Sequence, residues 1–415
     1  MRSSKSEWLS PWWKDLRPRW GHPWHSMCSY LAMFPPALPR YFIEQCSRKG
    51  DLVLDPFSGR GTTPLEACLA ERIGIGSDLN PLAVLLTGAK VNPPSIDLVY
   101  ERLSQLECTY QPSRVLHDAP PEIQMLFHDE VTLPQLLYLR SKLSPHRKID
   151  RYLLAMLVGI LHGKHPKNPL ESQTLSISMP NTFSMSPKYI QKYINKNGLK
   201  KYPFDVFDSL RRRIDYLNRR DPPPVCGRVM CQDARRLSSC IAKQSVDLIV
   251  TSPPYLRVVK YGQYNWIRLW LLGKAVEETG RGLQVAATDK SLGLSDQLNL
   301  SKYKKFITSC SADWEKLLRP GGICTVVIGD VRNRERKSLN LAEEVWREIK
   351  SETGLKLIDI VEDVLQASGK VTRIWGDRRG KATKVDRVLV MKRVGARRYR
   401  TRSPGRVIQE LARGT

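Results

Sequence analysis

Short apolar runs alternate with amphipathic stretches near both ends of the chain, and the middle breaks that rhythm. "DLVLD" has the length and character of a buried strand, and "PFSGRGTTPLEACLAE" behind it reads as a Gly-rich turn opening into a helix. "RIGIGSDLNPLAVLLTGAK" repeats the pattern, with a strand ending at Asp78 and a helix behind Pro81. Strand–helix alternation of this kind predicts a parallel, doubly wound α/β sheet.

From residue 95 to residue 224 the period is helical and convincing strands are few. "TLPQLLYLRSKL", "DRYLLAMLVGILHGKH" and "FDVFDSLRRRIDYLNRR" read as helices. "SMSPKYIQKYINKNG" predicts another, with Ser186 as N-cap, Pro187 at the first helical position and Gly198 past the end. The stretch stops at "DPPP", a rigid linker. Alternation then resumes. "GRVMCQDA" and "VDLIVTSPPY" are strands, "SKYKKFITSCSADWEKLL" is a helix closed by "RPGG", and "ICTVVIGDV", "LKLIDIVEDV" and "DRVLVMKR" are further strands. The expected organisation is one α/β domain in two pieces, residues 1–94 and 225–394, interrupted by a helical insertion at 95–224. A basic tail follows at 395–415.

Charge changes the picture more than hydropathy does. The 415 residues carry a formal net charge of +26, and a chain this basic points to a polyanion, most often nucleic acid. Nine cysteines show no CxxC pair and no zinc-like spacing, so they are expected to be reduced and mostly buried. His162 and His165 in "HGKHP" could begin a metal site, but no nearby residues complete one, so no metal is expected. "YLLAMLVGIL" is too short to span a bilayer, and "MRSSKSEWLSPWW" lacks the apolar centre of a signal peptide. The expected compartment is the cytoplasm, with no membrane partner.

Candidate chemistry gathers where strands end. Gly59 and Gly61 follow the first strand, where glycine permits a sharp turn and close approach of a ligand. Pro64 takes the place of the third glycine of a pyrophosphate loop, and Asp55 precedes the turn. An acid with glycines suits a cationic amino group better than a pyrophosphate. Asp78 is placed either to accept from ribose hydroxyls or to cap the next helix. Asp233 in "CQDA" is expected at the end of the third strand, where an adenine amine could be held. "TSPPY" ends the fourth strand with two residues that cannot extend a ladder. The stretch is either a stiff turn at a sheet edge or a pocket for a nucleobase amine, in which Ser252 Oγ and the Pro253 carbonyl, held by Pro254, would accept from the amine hydrogens and Tyr255 would offer a face for stacking.

With these residues the chain resembles the amino-group DNA methyltransferases that use S-adenosylmethionine. "DPFSGRGTT" looks like their cofactor motif, and "TSPPY" looks like their catalytic motif in the serine form typical of cytosine-N4 enzymes. "HSMCSYLAMFPPALPRYFI" is similar to the N-terminal motif that closes over the cofactor, and "LLRPGGICTVVIGD" to the strand that buttresses the pocket. The resemblance covers the α/β portion and implies a Rossmann-like methyltransferase sheet. It implies that Asp55, Phe57, Gly59 and Gly61 line the cofactor site and that Thr62 and Thr63 open the helix behind it. Asp78 would take the ribose and Asp233 would sit near the adenine. Ser252, Pro253, Pro254 and Tyr255 would hold the target base. Arg60 departs from the expected pattern as a large cation near a sulfonium, and an outward course toward phosphate would explain it.

The leading function is therefore methylation of a flipped cytosine at N4 in double-stranded DNA, in a restriction-modification setting with a cognate endonuclease as a candidate partner. Adenine-N6 methylation is the nearest alternative, followed by RNA methylation and by a silent DNA-binding protein on the same scaffold. A cytosine-C5 mechanism needs a Pro-Cys nucleophile, and the chain has none. Lys188, Lys192 and Lys196 recur along one helix face, either as a solvated stripe or as a grip on the DNA backbone.

Overall fold

Strand β1 (Leu52–Asp55) is buried throughout, and its alternate side chains enter different cores. Leu52 and Leu54 pack on one face and Val53 on the other. β4 (Val246–Thr251) divides in the same way, with Ile249 on the first face and Leu248 and Val250 on the second. A sheet apolar on both faces must be covered on both faces, which is the physical root of the layered α/β architecture. The computed structural model describes residues 21–30, 35–111, 119–254, 260–274, 277–278, 282–283, 298–332, 338–364 and 382–395.

The other strands along the main path of the sheet are β2 (Ile73–Ser77), β3 (Arg228–Met230), β5 (Leu318–Arg332), β6 (Leu355–Val364) and β7 (Ala382–Arg393), with the two-residue strand Ser338–Leu339 pairing β5 off that path and Glu277–Glu278 pairing Gly282–Leu283 apart from it. Their order across the sheet is β3-β2-β1-β4-β5-β7-β6. The first five are parallel, and β7 runs antiparallel to both of its neighbours. The helices are α1 (Ala37–Cys46), α2 (Thr62–Leu69), α3 (Pro81–Val91), α4 (Ile96–Cys108), α5 (Pro121–Gln124) and α6 (Thr132–Lys142). They continue as α7 (Lys148–Ile160), α8 (Pro187–Asn197), α9 (Val206–Leu217), α10 (Trp266–Leu271), α11 (Leu300–Leu317) and α12 (Leu341–Glu352). Leu38, Phe42 and Ala67 from α1 and α2 cover one face, and Ile307, Trp314 and Val345 from α11 and α12 cover the other. The doubly wound α/β sheet expected from the alternation is the one observed.

Between β2 and β3 lie α4 to α9 and, among the described residues, no strand of the main sheet. They build a third core with α3 and α10, in which Leu86, Leu103, Leu136, Met156, Phe207 and Trp270 meet. The apolar run in α7 is spent there, and among the described residues no helix is long and apolar enough to cross a membrane. α8 begins and ends as the sequence predicts. Ser186 accepts from the Tyr189 N–H, Pro187 opens the helix, and Gly198 closes it at φ 56°.

Two local expectations are corrected. β3 stops at Met230, so Asp233 stands three residues beyond the strand. The chain turns there because the Asp233 carboxylate accepts the Arg235 N–H at 2.9 Å, an Asx-type turn that competes with the ladder. None of the nine cysteines is in a disulfide, but only Cys28, Cys68, Cys310 and Cys324 are buried. Cys108, Cys226, Cys231 and Cys240 are exposed because they lie at a helix end or in the turns around β3, the edge strand. Trp24 is buried and donates from Nε1 to the Leu217 carbonyl at 3.1 Å. Trp8, Trp12, Trp13, Trp20 and tail residues 396–415 lie outside the described residues.

Candidate active site

The chain runs outward from β1 to β2 and β3, then crosses back to place β4 on the other side of β1. That reversal opens a crevice between the carboxyl ends of β1 and β4, the usual ligand position in open α/β sheets. Asp55 and the Gly-rich turn leave one side of it. Ser252, Pro253 and Pro254 leave the other. Thr251, the last residue of β4 and fully buried, donates from Oγ1 to Asp55 Oδ1 at 2.6 Å.

Asp55 is 2% exposed and also accepts from the Phe57 N–H at 3.1 Å. Burial pushes its carboxyl up to about 7, against the hydrogen bonds from Thr251 and Phe57 that favour the anion. Gly59 turns at φ 50°, with the Tyr30 ring 3.5 Å from where a Cβ would stand. Gly61, at φ 79°, has a different task. A Cβ there would come within 2.9 Å of the Thr87 Cα, so its bareness lets α2 lie close to α3. Thr62 and Thr63 are buried in the first turn of α2. Phe57 is half-buried, with its ring centroid 5.8 Å from Phe306 and 5.9 Å from Trp314.

Arg60 does not run outward. Its guanidinium turns inward, donating from Nη1 to the His25 carbonyl at 2.6 Å and from Nε to Thr62 Oγ1 at 3.3 Å. Behind it the fully buried Lys90 donates to the Arg60 carbonyl at 2.6 Å, and burial holds the Lys90 amine well below its ordinary range. His25 Nε2 lies 2.5 Å from Glu66 Oε1, and burial pushes Glu66 up to about 7.

Asp78 comes one residue after β2. Its Oδ2 accepts from the Gly59 N–H and its Oδ1 from the Asn80 N–H, each at 2.9 Å, while burial pushes it up to about 6. It thus fastens the Gly-rich turn to the end of β2. The cap of α3 is Asn80, whose side chain accepts from the Leu82 N–H, so the capping alternative for Asp78 falls away. Asn80 Nδ2 also donates to the Tyr30 hydroxyl at 3.1 Å, and the Tyr30 ring stacks on Tyr261 at 6.2 Å. Asp233 is gripped by Arg235 through Nε and Nη2, and that bond holds its carboxyl below the usual range. The same guanidinium stands 5.7 Å from the Phe306 ring centroid.

Pro253 is buried, while Ser252 and Pro254 are half-buried at the crevice. Tyr255 lies outside the described residues. His162 is buried and His165 Nε2 meets the Ser176 carbonyl at 2.7 Å. Among the described residues no group of three or more His, Cys, Asp or Glu could hold a metal ion.

Residues 2–87 match the family model described as DNA methylase, which spans the amino-group N6 and N4 enzymes. Over those residues the chain is similar to the amino-group DNA methylases. It is 24% identical over 306 residues to the Type II methyltransferase M.MvaI of Kocuria varians, covering 66% of this chain and 64% of that one. It is 23% identical over 338 residues to M.BsoBI of Geobacillus stearothermophilus, covering 75% and 65%. A shorter stretch of 79 residues is 34% identical to M.MjaI of Methanocaldococcus jannaschii, covering 19% and 25%. The chain thus spans just under two thirds of the length of the first two relatives.

Several residues that shape this methylase-like crevice carry little or no signal in the sequence. Thr251 has the clearest one: a lone hydroxyl closes the otherwise apolar "LIVT", beside a strand that ends in an acid. Tyr30 sits within the N-terminal motif but has no periodic signature. Phe306 and Arg235 reach the crevice edge only through packing of α11 against the turn after β3.

Proposed function

We propose that the chain transfers a methyl group from S-adenosylmethionine to the exocyclic N4 amine of a cytosine flipped from double-stranded DNA. What carries this reading is the joining of the acid and Gly-rich turn of β1 to the Ser-Pro-Pro turn of β4 across the switch point, through the Thr251–Asp55 hydrogen bond. The family match and the names of the relatives support the reaction class. The serine before the two prolines supports cytosine.

The crevice suits such a cofactor on its own chemistry. Asp55 has a raised proton affinity and would ionise on arrival of an ammonium group. Gly59 keeps the backbone open beside Tyr30, and Asp78 offers ionised acceptors for hydroxyls, although both of its oxygens already serve the loop. Phe57 lies at the aromatic wall with Phe306, where a flat ring can rest. Asp233 serves an adenine amine only in competition with Arg235. When bound, the sulfonium supplies an electrophilic methyl group.

The protein's part is to make a poor nucleophile attack. A cytosine N4 lone pair is delocalised into the ring. Ser252 Oγ and the Pro253 carbonyl accept from its two hydrogens, favour a pyramidal nitrogen and aim the lone pair at the methyl carbon. Transfer would break the sulfur–methyl bond, leaving a neutral thioether, as the N–methyl bond forms, and Ser252 Oγ and the Pro253 carbonyl would hold the surplus amine proton until it passes to solvent. Tyr255 is assigned the stacking face by the sequence. Other proposed parts are Thr62 and Thr63 behind the cofactor, residues 95–224 as target-recognition region, a cytoplasmic restriction-modification setting, and an endonuclease acting at the same site.

The test is direct. Unmethylated plasmid DNA is incubated with the protein and methyl-labelled cofactor, then digested to nucleosides and separated. N4-methylcytosine carrying the label is expected. Label only in N6-methyladenine would move the base assignment, and no label in DNA would remove the reading.

A further inference from the structure

We propose that α8 grips the phosphate backbone of the duplex beside the catalytic loop, an inference that rests on the DNA methyltransferase reading above. α8 is the most water-exposed helix of the inserted region, with Ile190 its only buried side chain. Lys188, Lys192 and Lys196 are all exposed, and among the described residues none of them forms an ion pair. The helix contains no acidic residue that could hold them. At about 1.5 Å rise per residue, the three ammonium groups are spread over about 12 Å, several phosphate spacings along one strand.

A second feature separates this face from a merely solvated one. Tyr189 and Tyr193 run as a neighbouring row with ring centroids 6.2 Å apart and planes only 12° apart. Tyr189 is 42% exposed. Two parallel aromatic rings beside a cationic row bury little for folding. They offer hydroxyl donors and flat faces to a sugar–phosphate backbone.

The third observation places the helix. The segment that leads into α8 is tied to the segment that follows the Ser-Pro-Pro turn. Ser184 N–H donates to the Tyr264 carbonyl at 2.8 Å, Trp266 Nε1 donates to the Met185 carbonyl at 2.8 Å, and Arg268 Nη2 donates to the Thr182 carbonyl at 3.1 Å. The Phe183 and Tyr264 rings meet at 5.4 Å. Trp266 and Arg268 are fully buried, so this junction is stiff. A helix fixed to the end of the loop that carries the target-base residues is well placed to hold the duplex from which that base is drawn. With a net charge of +26, the occupant its chemistry selects is a polyanion.

The experiment compares the wild-type chain with Lys188→Gln/Lys192→Gln/Lys196→Gln. Duplexes of several unrelated sequences are titrated by fluorescence anisotropy at a series of salt concentrations. Methyl transfer into the same duplexes is measured in parallel. The triple variant is expected to bind all sequences more weakly by a similar factor. Its slope of log affinity against log salt should be shallower by roughly 0.9 for each phosphate that a lysine no longer neutralises. Cofactor affinity should not change. Lys192→Gln alone, with a slope shallower by about 0.9, gives the same answer if the triple variant is poorly folded. Methyl transfer by the wild type, with an unchanged slope in a folded variant, overturns the role of α8 and leaves the enzyme reading standing. No transfer by the wild type into any duplex overturns the reading beneath it as well.

Discussion

Thr251 Oγ1 donates to Asp55 Oδ1 at 2.6 Å, so the last residue of β4 and the last residue of β1 share a buried hydrogen bond at the crevice floor. One strand leads to the Ser-Pro-Pro turn proposed to hold the base and the other to the Gly-rich turn proposed to hold the cofactor. The bond makes the spacing of the two turns a property of the sheet rather than of the loops. Thr251→Val keeps the shape and removes the donor. It leaves a buried carboxyl with one partner fewer, at a cost of about 1–3 kcal/mol. Since the missing bond favoured the anion, the proton affinity of Asp55 should climb further above about 7. Thermal unfolding and the pH dependence of cofactor binding both report this. Thr251→Ser should restore most of each, and a valine variant identical to wild type in both would remove the coupling.

The second prediction concerns pH. Burial raises Asp55 from 3.8 to about 7, so between those values the folded chain holds a proton that the unfolded chain releases. The stability of the free protein therefore falls as pH rises through that window. A cationic ligand reverses the preference, because it binds the ionised carboxylate. Cofactor affinity should rise about tenfold per pH unit below about 7 and level off above it. Asp78, raised to about 6, adds a smaller contribution of the same sign. Calorimetry at about pH 6 in buffers of different ionisation enthalpy should show proton release on binding, and Asp55→Asn should abolish most of it. Binding independent of pH across this window would show that Asp55 does not meet a cation.

The third separates two glycines that look alike in the sequence. Gly61→Ala places a Cβ within 2.9 Å of the Thr87 backbone at a left-handed φ. The variant should lose on the order of 3 kcal/mol of stability before any ligand is considered. Gly59→Ala meets only the Tyr30 ring at 3.5 Å and carries the backbone penalty alone, about 1 kcal/mol. Melting of the free proteins should rank Gly59→Ala well above Gly61→Ala. Equal melting temperatures would contradict the packing role given to Gly61.

These glycines also show how far the sequence could be read. Strand–helix alternation, the acid before the turn and the proline pair after an apolar strand are local patterns, and each placed its element correctly. So did the caps of α8, because Ser186, Pro187 and Gly198 act within a few residues. What was not legible depends on packing between distant segments. Gly61 answers to Thr87 on the neighbouring helix, a packing demand that no local pattern encodes. Arg60 turns inward because a carbonyl of residue 25 waits for it. Asp233 is drawn from its expected strand end by Arg235, whose reach no periodicity encodes. The third core, which joins residues 95–224 to α3 and α10, is likewise invisible to a reading that ends the α/β domain where its strands stop.

The last prediction addresses the chemistry. Ser252 is half-buried at the crevice and follows directly on the fixed Thr251. Ser252→Ala removes one of the two acceptors proposed for the target amine and leaves the Pro253 carbonyl in place. Loss of one preorganised acceptor in a site that stabilises developing charge lowers turnover by roughly 10²–10³. The residue has no part in the Asp55 or Asp78 networks described above, so cofactor affinity should stay within about twofold of wild type, as after a substitution remote from the ligand. The split is what matters: kcat should fall while cofactor binding and the salt slope of DNA binding hold. Single-turnover methyl transfer with labelled cofactor measures the first, and calorimetry and anisotropy measure the other two. The residual product should still be N4-methylcytosine, because base choice rests on the pocket as a whole. If turnover is unchanged, Ser252 does not touch the amine and the acceptor must come from elsewhere in the turn. If cofactor binding collapses with turnover, the serine belongs to the fold of the crevice rather than to the transfer.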